Sequence, residues 1–144
     1  MKFLFATLAL GALFLGSCQS DKVKSENVKQ SDMVDPENPP VMTFEETVYD
    51  FGTVSEGEIV KHTFYFTNTG KSPLIIHSAQ GSCGCTVPSW PKEPVGPGEE
   101  GKIEVTFNSH LKGGKNDKKV SILANTKPVK TVITIKGYVE KAED

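Results

Sequence analysis

From residue 41 onward, apolar and polar residues alternate with a period of two. Val60, His62, Phe64 and Phe66 fall on one face of a strand, and Ile59, Lys61, Thr63 and Tyr65 fall on the other. Ile103, Val105 and Phe107 alternate with Lys102, Glu104 and Thr106. Val120, Ile122 and Ala124 make a third apolar face, and Ile133, Ile135 and Val139 a fourth, with Gly137 where a side chain is expected. Such alternation predicts half-buried strands, and no stretch keeps a helical period long enough for a helix. Turn signals divide the strands: Asn68-Thr69-Gly70-Lys71, Gly96-Pro97-Gly98, Gly113-Gly114 and Asn125-Thr126-Lys127-Pro128. Short strands at near-regular spacing in about 100 residues predict an all-β, immunoglobulin-like β-sandwich of about seven strands over residues 41–144. A domain of about that size stands on apolar burial without a disulfide between its sheets. Phe44, Phe51, Phe64, Phe66 and Phe107 are its expected core aromatics.

The first forty residues follow other patterns. Lys2 precedes an apolar run from Phe3 to Leu15. This run is shorter than the roughly 20 residues that span a bilayer. A positive start, a short apolar core and small residues before a break form an export signal. Here the break is Leu15-Gly16-Ser17-Cys18. That ending resembles the lipobox of bacterial lipoproteins, whose cysteine is acylated and becomes the first mature residue. The resemblance implies a signal peptide at 1–17, lipidation (palmitate among the acyl chains) at Cys18, and a membrane anchored through lipid. Gln19 is not the aspartate that retains some lipoproteins in the inner membrane, so the expected location is the outer membrane of the cell envelope, facing the periplasm or the surface. Residues 19–40 read QSDKVKSENVKQSDMVDPENPP, too polar to offset the entropy of ordering. With Cys18 they are expected to form a disordered tether with a reach of roughly 25 Å.

Charge narrows the function classes. Without the leader, 15 lysines face 18 acids, a formal charge of −3, and the chain has no arginine. Arginine is the side chain of choice for bidentate phosphate recognition, so no nucleic-acid partner is expected. Lys112, Lys115, Lys118 and Lys119 around Gly113-Gly114 suggest a basic patch, or simply the solvated lysines of a hairpin loop. Neither a nucleophile elbow, nor a phosphate loop, nor a supported pair of catalytic carboxylates is present. Asp50 reads as a turn acceptor. The chain is therefore expected to be non-catalytic and to need no cofactor.

Tyr49-Asp50-Phe51-Gly52-Thr53-Val54, Phe64-Tyr65-Phe66-Thr67-Asn68-Thr69-Gly70, Ser82-Cys83-Gly84-Cys85-Thr86 and Pro97-Gly98 carry a wider resemblance. They are similar to an uncharacterised bacterial domain-of-unknown-function family of lipoproteins and secreted proteins, frequent in the Bacteroidota. Its fold resembles the immunoglobulin-like abnormal-spindle/Hydin and major sperm protein domains. The resemblance covers nearly all of residues 42–139, with Ser-Cys-Gly-Cys-Thr its most specific part. It implies no activity or cofactor, and by analogy with the eukaryotic domains it implies an interaction module.

Cys83-Gly84-Cys85 is the candidate site, and three readings stand. In the first, Gly84 permits a tight turn and the cysteines are small apolar fillers. In the second, they form an exchanging thiol pair. So small a ring contributes only about 1.6 kcal/mol of loop entropy to the fold, and a bridge restrained by it is expected to reduce readily. In the third, two thiolates take a soft metal such as copper(I) or zinc. His77 is expected to point outward and His62 to be a satisfied histidine at the core's margin, which leaves no evident further ligand pair. Trp90, between Pro88 and Pro91, reads either as an exposed binding aromatic beside the cysteine loop or as a cap on the sandwich. These readings lead to two function classes. One is a membrane-tethered accessory module that binds another envelope protein or a glycan, and the other is a thiol redox or metal-handling protein.

Overall fold

The computed structural model describes residues 37–141. The signal peptide, Cys18 and the tether as far as residue 36 lie outside the described residues. The chain forms eight strands: β1 (Met42–Phe44), β2 (Val48–Ser55), β3 (Ile59–Asn68), β4 (Ile76–Gly81), β5 (Thr86–Ser89), β6 (Glu100–Asn108), β7 (Gly114–Ala124) and β8 (Lys130–Glu140). They build two four-stranded sheets, ordered β1-β3-β6-β5 and β2-β8-β7-β4. The sandwich class is as the alternation predicts. The three-residue β1 takes the count to eight.

Each predicted apolar face turns inward. Phe64, Phe66, Phe107, Ile103, Ile122, Ile133 and Val139 are all fully buried in one core. At about 25 cal/mol per Å² of apolar surface, burial of this kind is the main term favouring the fold. Gly137 keeps the sandwich from overfilling. A side chain there would strike the Phe51 ring, which reaches inward from a bulge between Asp50 and Thr53 and stacks on Phe107. The bulge is shaped by Asp50, whose Oδ1 accepts from the Gly52 N–H at 2.9 Å, and by Gly52 at φ 67°. Asp50 is thus a turn acceptor.

The connections differ from a meander of hairpins. β2 pairs parallel with β8, while every other strand pairing is antiparallel. The Gly113-Gly114 region joins β6 in one sheet to β7 in the other, so it is a crossover and not a hairpin loop. Its lysines do not gather. Lys115 and Lys119 face outward with Asp117 between them, whereas Lys118 turns toward the interior, 5.9 Å from the Phe107 ring centroid. Strand parity separates them, because neighbours on a strand point to opposite faces. The β7–β8 turn contains a cis Lys127–Pro128 peptide.

The packed segment includes residues before 41. Pro40 is buried, and the Ser72 hydroxyl donates to the Asn38 carbonyl at 2.6 Å. This segment crosses at the end of the sandwich where β3 finishes, since the Thr69 N–H donates to the Val41 carbonyl.

Candidate functional site

The cysteine loop is the crossover between two sheet edges. β4 is the outer strand of one sheet, β5 is the outer strand of the other, and Ser82–Cys85 pass between them. Cys83 and Cys85 are joined by a disulfide, with Cα atoms 5.2 Å apart. The thiolates of the metal reading are therefore committed to each other. Among the described residues no three His, Cys, Asp or Glu side chains gather into a metal-binding group. His77 is exposed on β4. His62 lies at the core's margin, stacked on Tyr49 at 3.6 Å and edge-on to Phe64, with Nε2 2.7 Å from the Glu46 carboxylate.

Backbone hydrogen bonds fix the loop on both sides. The Ser82 N–H donates to the Lys119 carbonyl at 2.8 Å, and the Lys119 N–H returns a bond to the Ser82 hydroxyl at 3.2 Å. The Asn108 N–H donates to the Cys85 carbonyl at 2.9 Å. Cys83–Thr86 is a β-turn closed by a 3.1 Å bond from the Thr86 N–H to the Cys83 carbonyl. Gly84 occupies its second position with φ outside the left-handed region, and a Cβ there would meet nothing within 4 Å. The turn therefore has no conformational need for glycine, contrary to the tight-turn reading. The tight approach is at Gly81, where a side chain would strike the Thr86 carbonyl.

The two sulfurs are not equivalent. Both cysteines are half-buried, but Cys85 packs against the hydrophobic core while Cys83 stands outside that cluster. Thr86, only 3% exposed, places its Oγ1 3.6 Å from the Cys83 sulfur and 3.9 Å from that of Cys85. In the sequence Thr86 is only the last residue of the Ser-Cys-Gly-Cys-Thr motif, and nothing local marks its place beside both sulfurs.

Trp90 lies beyond β5, four strand residues away from the cysteine loop. Its ring packs partly buried against the core, and the Lys92 ammonium lies 3.1 Å from the ring centroid. Of the two readings, the cap is the one this geometry fits.

One feature that alternation alone did not reveal is an open strand edge. β3 pairs with β6 along residues 59–67, but with β1 only at residues 66–68. Bonds from Glu45 N–H to the Tyr65 carbonyl and from Thr69 N–H to the Val41 carbonyl show that odd residues of β3 address the β1 side. The Asn68 N–H bond to the Glu99 carbonyl shows that even residues address β6. By this parity the N–H and C=O groups of Ile59, Lys61 and Thr63 point past the end of β1, where no described strand pairs with them. The other edge of this sheet is blunted, because Pro88 lacks an N–H at an outward-facing position of β5.

The bridging roles of two asparagines also lay beyond the turn signals. Asn68, fully buried, accepts at Oδ1 from Val41 and Gly70 N–H groups and donates from Nδ2 to the Ser72 and Val95 carbonyls. Asn125 bridges Ile75 and Pro73 in the same manner.

Two sheets joined through a disulfide-bridged crossover, with a parallel β2–β8 pair, define an immunoglobulin-like domain. Residues 42–139 match the family described as "Protein of unknown function (DUF1573)", and the chain belongs to that family. Its fold is similar to that of a protein of unknown function from Porphyromonas gingivalis W83, with TM-score 0.62 and 20% identity over 69% of this chain and 46% of that one. It is similar to the ASH/PapD-like domain 7 of human CEP192, with TM-score 0.57 and 13% identity over 71% of this chain and 87% of that domain. It also resembles part of the secreted serine protease VesC from Vibrio cholerae, with TM-score 0.54 and 14% identity over 68% of this chain and 23% of that one. The chain thus spans about half of the Porphyromonas protein and about a quarter of the protease. At these identities the likeness is one of fold. No curated protein matches the chain in sequence.

Proposed function

We propose that this protein is a non-catalytic binding module of the bacterial cell envelope, held to the outer membrane by lipid on Cys18, and that it takes an extended segment of another envelope protein along the open edge of β3. The observation that carries the binding reading is the run of main-chain donors and acceptors at Ile59, Lys61 and Thr63, which faces away from β6 beyond the end of β1. An unpaired edge of this kind accepts a further strand, with main-chain bonds supplying affinity and flanking side chains supplying selectivity. Ile59, 51% exposed, offers an apolar contact beside that edge. Support for the anchor comes from the leader, which combines charge, length and the Leu-Gly-Ser-Cys ending. The polar stretch after it supplies the reach.

A photo-crosslinking side chain at Lys61, introduced into the full chain in its native envelope, tests this reading. Adducts are expected from Lys61 and not from Tyr138 on the outward face of the other sheet. They are expected to vanish in Thr63→Pro, which removes an edge-facing N–H and spares the β6 ladder. Adducts that survive Thr63→Pro, or that form equally from Tyr138, contradict the proposal.

A further inference from the structure

We infer that the Cys83–Cys85 bridge is a thiol–disulfide exchange site whose co-reactant is the dithiol of another protein. The first ground is that the bridge is not what holds its loop. Ser82, Cys83, Cys85 and Thr86 are fixed by main-chain and hydroxyl hydrogen bonds to Lys119, Asn108 and one another, none of which uses a sulfur. Opening the bridge leaves these bonds in place, so the two thiols stay side by side and able to close again.

The second ground is thermodynamic. A crosslink stabilises a fold by restricting the unfolded chain, and one enclosing three residues restricts very little. By linkage the fold stabilises the bridge equally little. The bridge therefore lacks the protection that keeps structural disulfides oxidised against cellular thiols.

The third ground is the asymmetry of the site. Cys83 stands outside the core, Cys85 is packed against it, and the space beyond Gly84 is empty. A partner thiolate attacks the Cys83 sulfur, a partner–Cys83 disulfide forms, and the Cys83–Cys85 bond breaks. The electron pair leaves on the Cys85 sulfur, where the Thr86 hydroxyl donates to it until it takes up a proton. The partner's second thiolate then attacks its own sulfur in the mixed disulfide and releases Cys83 as a thiolate, which is protonated in turn. The partner dithiol has lost two electrons and two protons, and Cys83 and Cys85 have gained them. The reverse sequence oxidises this chain. Thr86 stabilises the leaving thiolate directly, and Gly84 keeps the approach clear.

The test equilibrates the oxidised full chain, in detergent, with glutathione buffers of stepped redox ratio. Samples are quenched by alkylation, the peptide carrying both cysteines is weighed, and circular dichroism is recorded on the same samples. Reversible gain of two alkyl groups with an unchanged β spectrum is expected. A bridge that resists glutathione until denaturant is added, or that opens only as the spectrum collapses, overturns the inference. Cys85→Ser is expected to hold a glutathione adduct on Cys83, and Cys83→Ser to hold far less on Cys85. The opposite ranking overturns the assigned direction of attack. Thr86→Val is expected to slow exchange roughly tenfold, the factor for one hydrogen bond to a charged group, and Thr86→Ser to restore it. Equal rates in Thr86→Val and the parent chain overturn the role of the hydroxyl.

Discussion

Asn68 has both polar ends of its side chain bonded inside the domain. It ties the incoming segment at Val41, the β3 turn at Gly70 and the carbonyls of Ser72 and Val95 into one point. Asn68→Ala strands the Val41 and Gly70 N–H groups and the Ser72 carbonyl, each costing about 1–3 kcal/mol when buried without a partner, while the Val95 carbonyl keeps its bond from the Leu74 N–H. Local relaxation and water recover part of this, so a net loss of at least about 2 kcal/mol is expected in denaturant unfolding. A loss below 0.5 kcal/mol (roughly the scatter of neutral surface changes) contradicts that role. Asn68 also shows where residue-level reading stopped. An Asn before Thr-Gly is a turn signal in any sequence, and its burial depends on the β5–β6 connection, nearly 30 residues away, folding over it. Phe64 and Phe66, by contrast, were legible because strand parity alone fixes which face they occupy.

At the scale of the strand, alternation identified the long strands and their buried faces correctly, including the vacancy at Gly137. The reason for that vacancy lay in the Phe51 bulge on a partner paired in parallel, which no local pattern announces. Gly137→Ala is expected to destabilise by about 1–3 kcal/mol, the usual cost of overpacking a filled core. The new Cβ meets the Phe51 ring and lies 2.6 Å from the Gly52 carbonyl oxygen. The double variant Gly137→Ala, Phe51→Leu is expected to recover part of that loss, and no recovery would point away from the ring as the obstacle. Of the two lysine readings, the basic patch fails for a related reason, while Lys115 and Lys119 are solvated as the other expected. Four lysines near one glycine pair look like a patch, but a crossover between sheets and strand parity send them to different faces. For the cysteine motif, spacing announced a site but did not show that Thr86 lies beside both sulfurs or that Gly84 has no conformational duty.

For the whole molecule, the described segment starts at the end of the sandwich where β3 finishes, whereas the cysteine loop lies level with the other end, beside Phe107 and Asn108. β3 spans ten residues, which sets these ends about 30 Å apart. Residue 37, where the described chain starts, therefore lies opposite the bridge, while the open half of β3 runs along one side. On the proposed reading, in which lipid on Cys18 is the anchor, Cys18→Ala is expected to move the protein from the membrane fraction to the soluble one with its β spectrum intact. Membrane retention of the variant would place the anchor elsewhere.

The open edge of β3 is the feature on which the binding account rests, and amide hydrogen exchange reads it directly. In the purified full chain, the Lys61 and Thr63 amides are predicted to exchange rapidly, while those of His62 and Phe64, bonded to β6, stay protected. In chain labelled within native envelope membranes and then quenched, Lys61 and Thr63 are predicted to become protected too. Protection of Lys61 and Thr63 equal to that of their neighbours in the purified chain, or rapid exchange persisting in the envelope, would contradict the account.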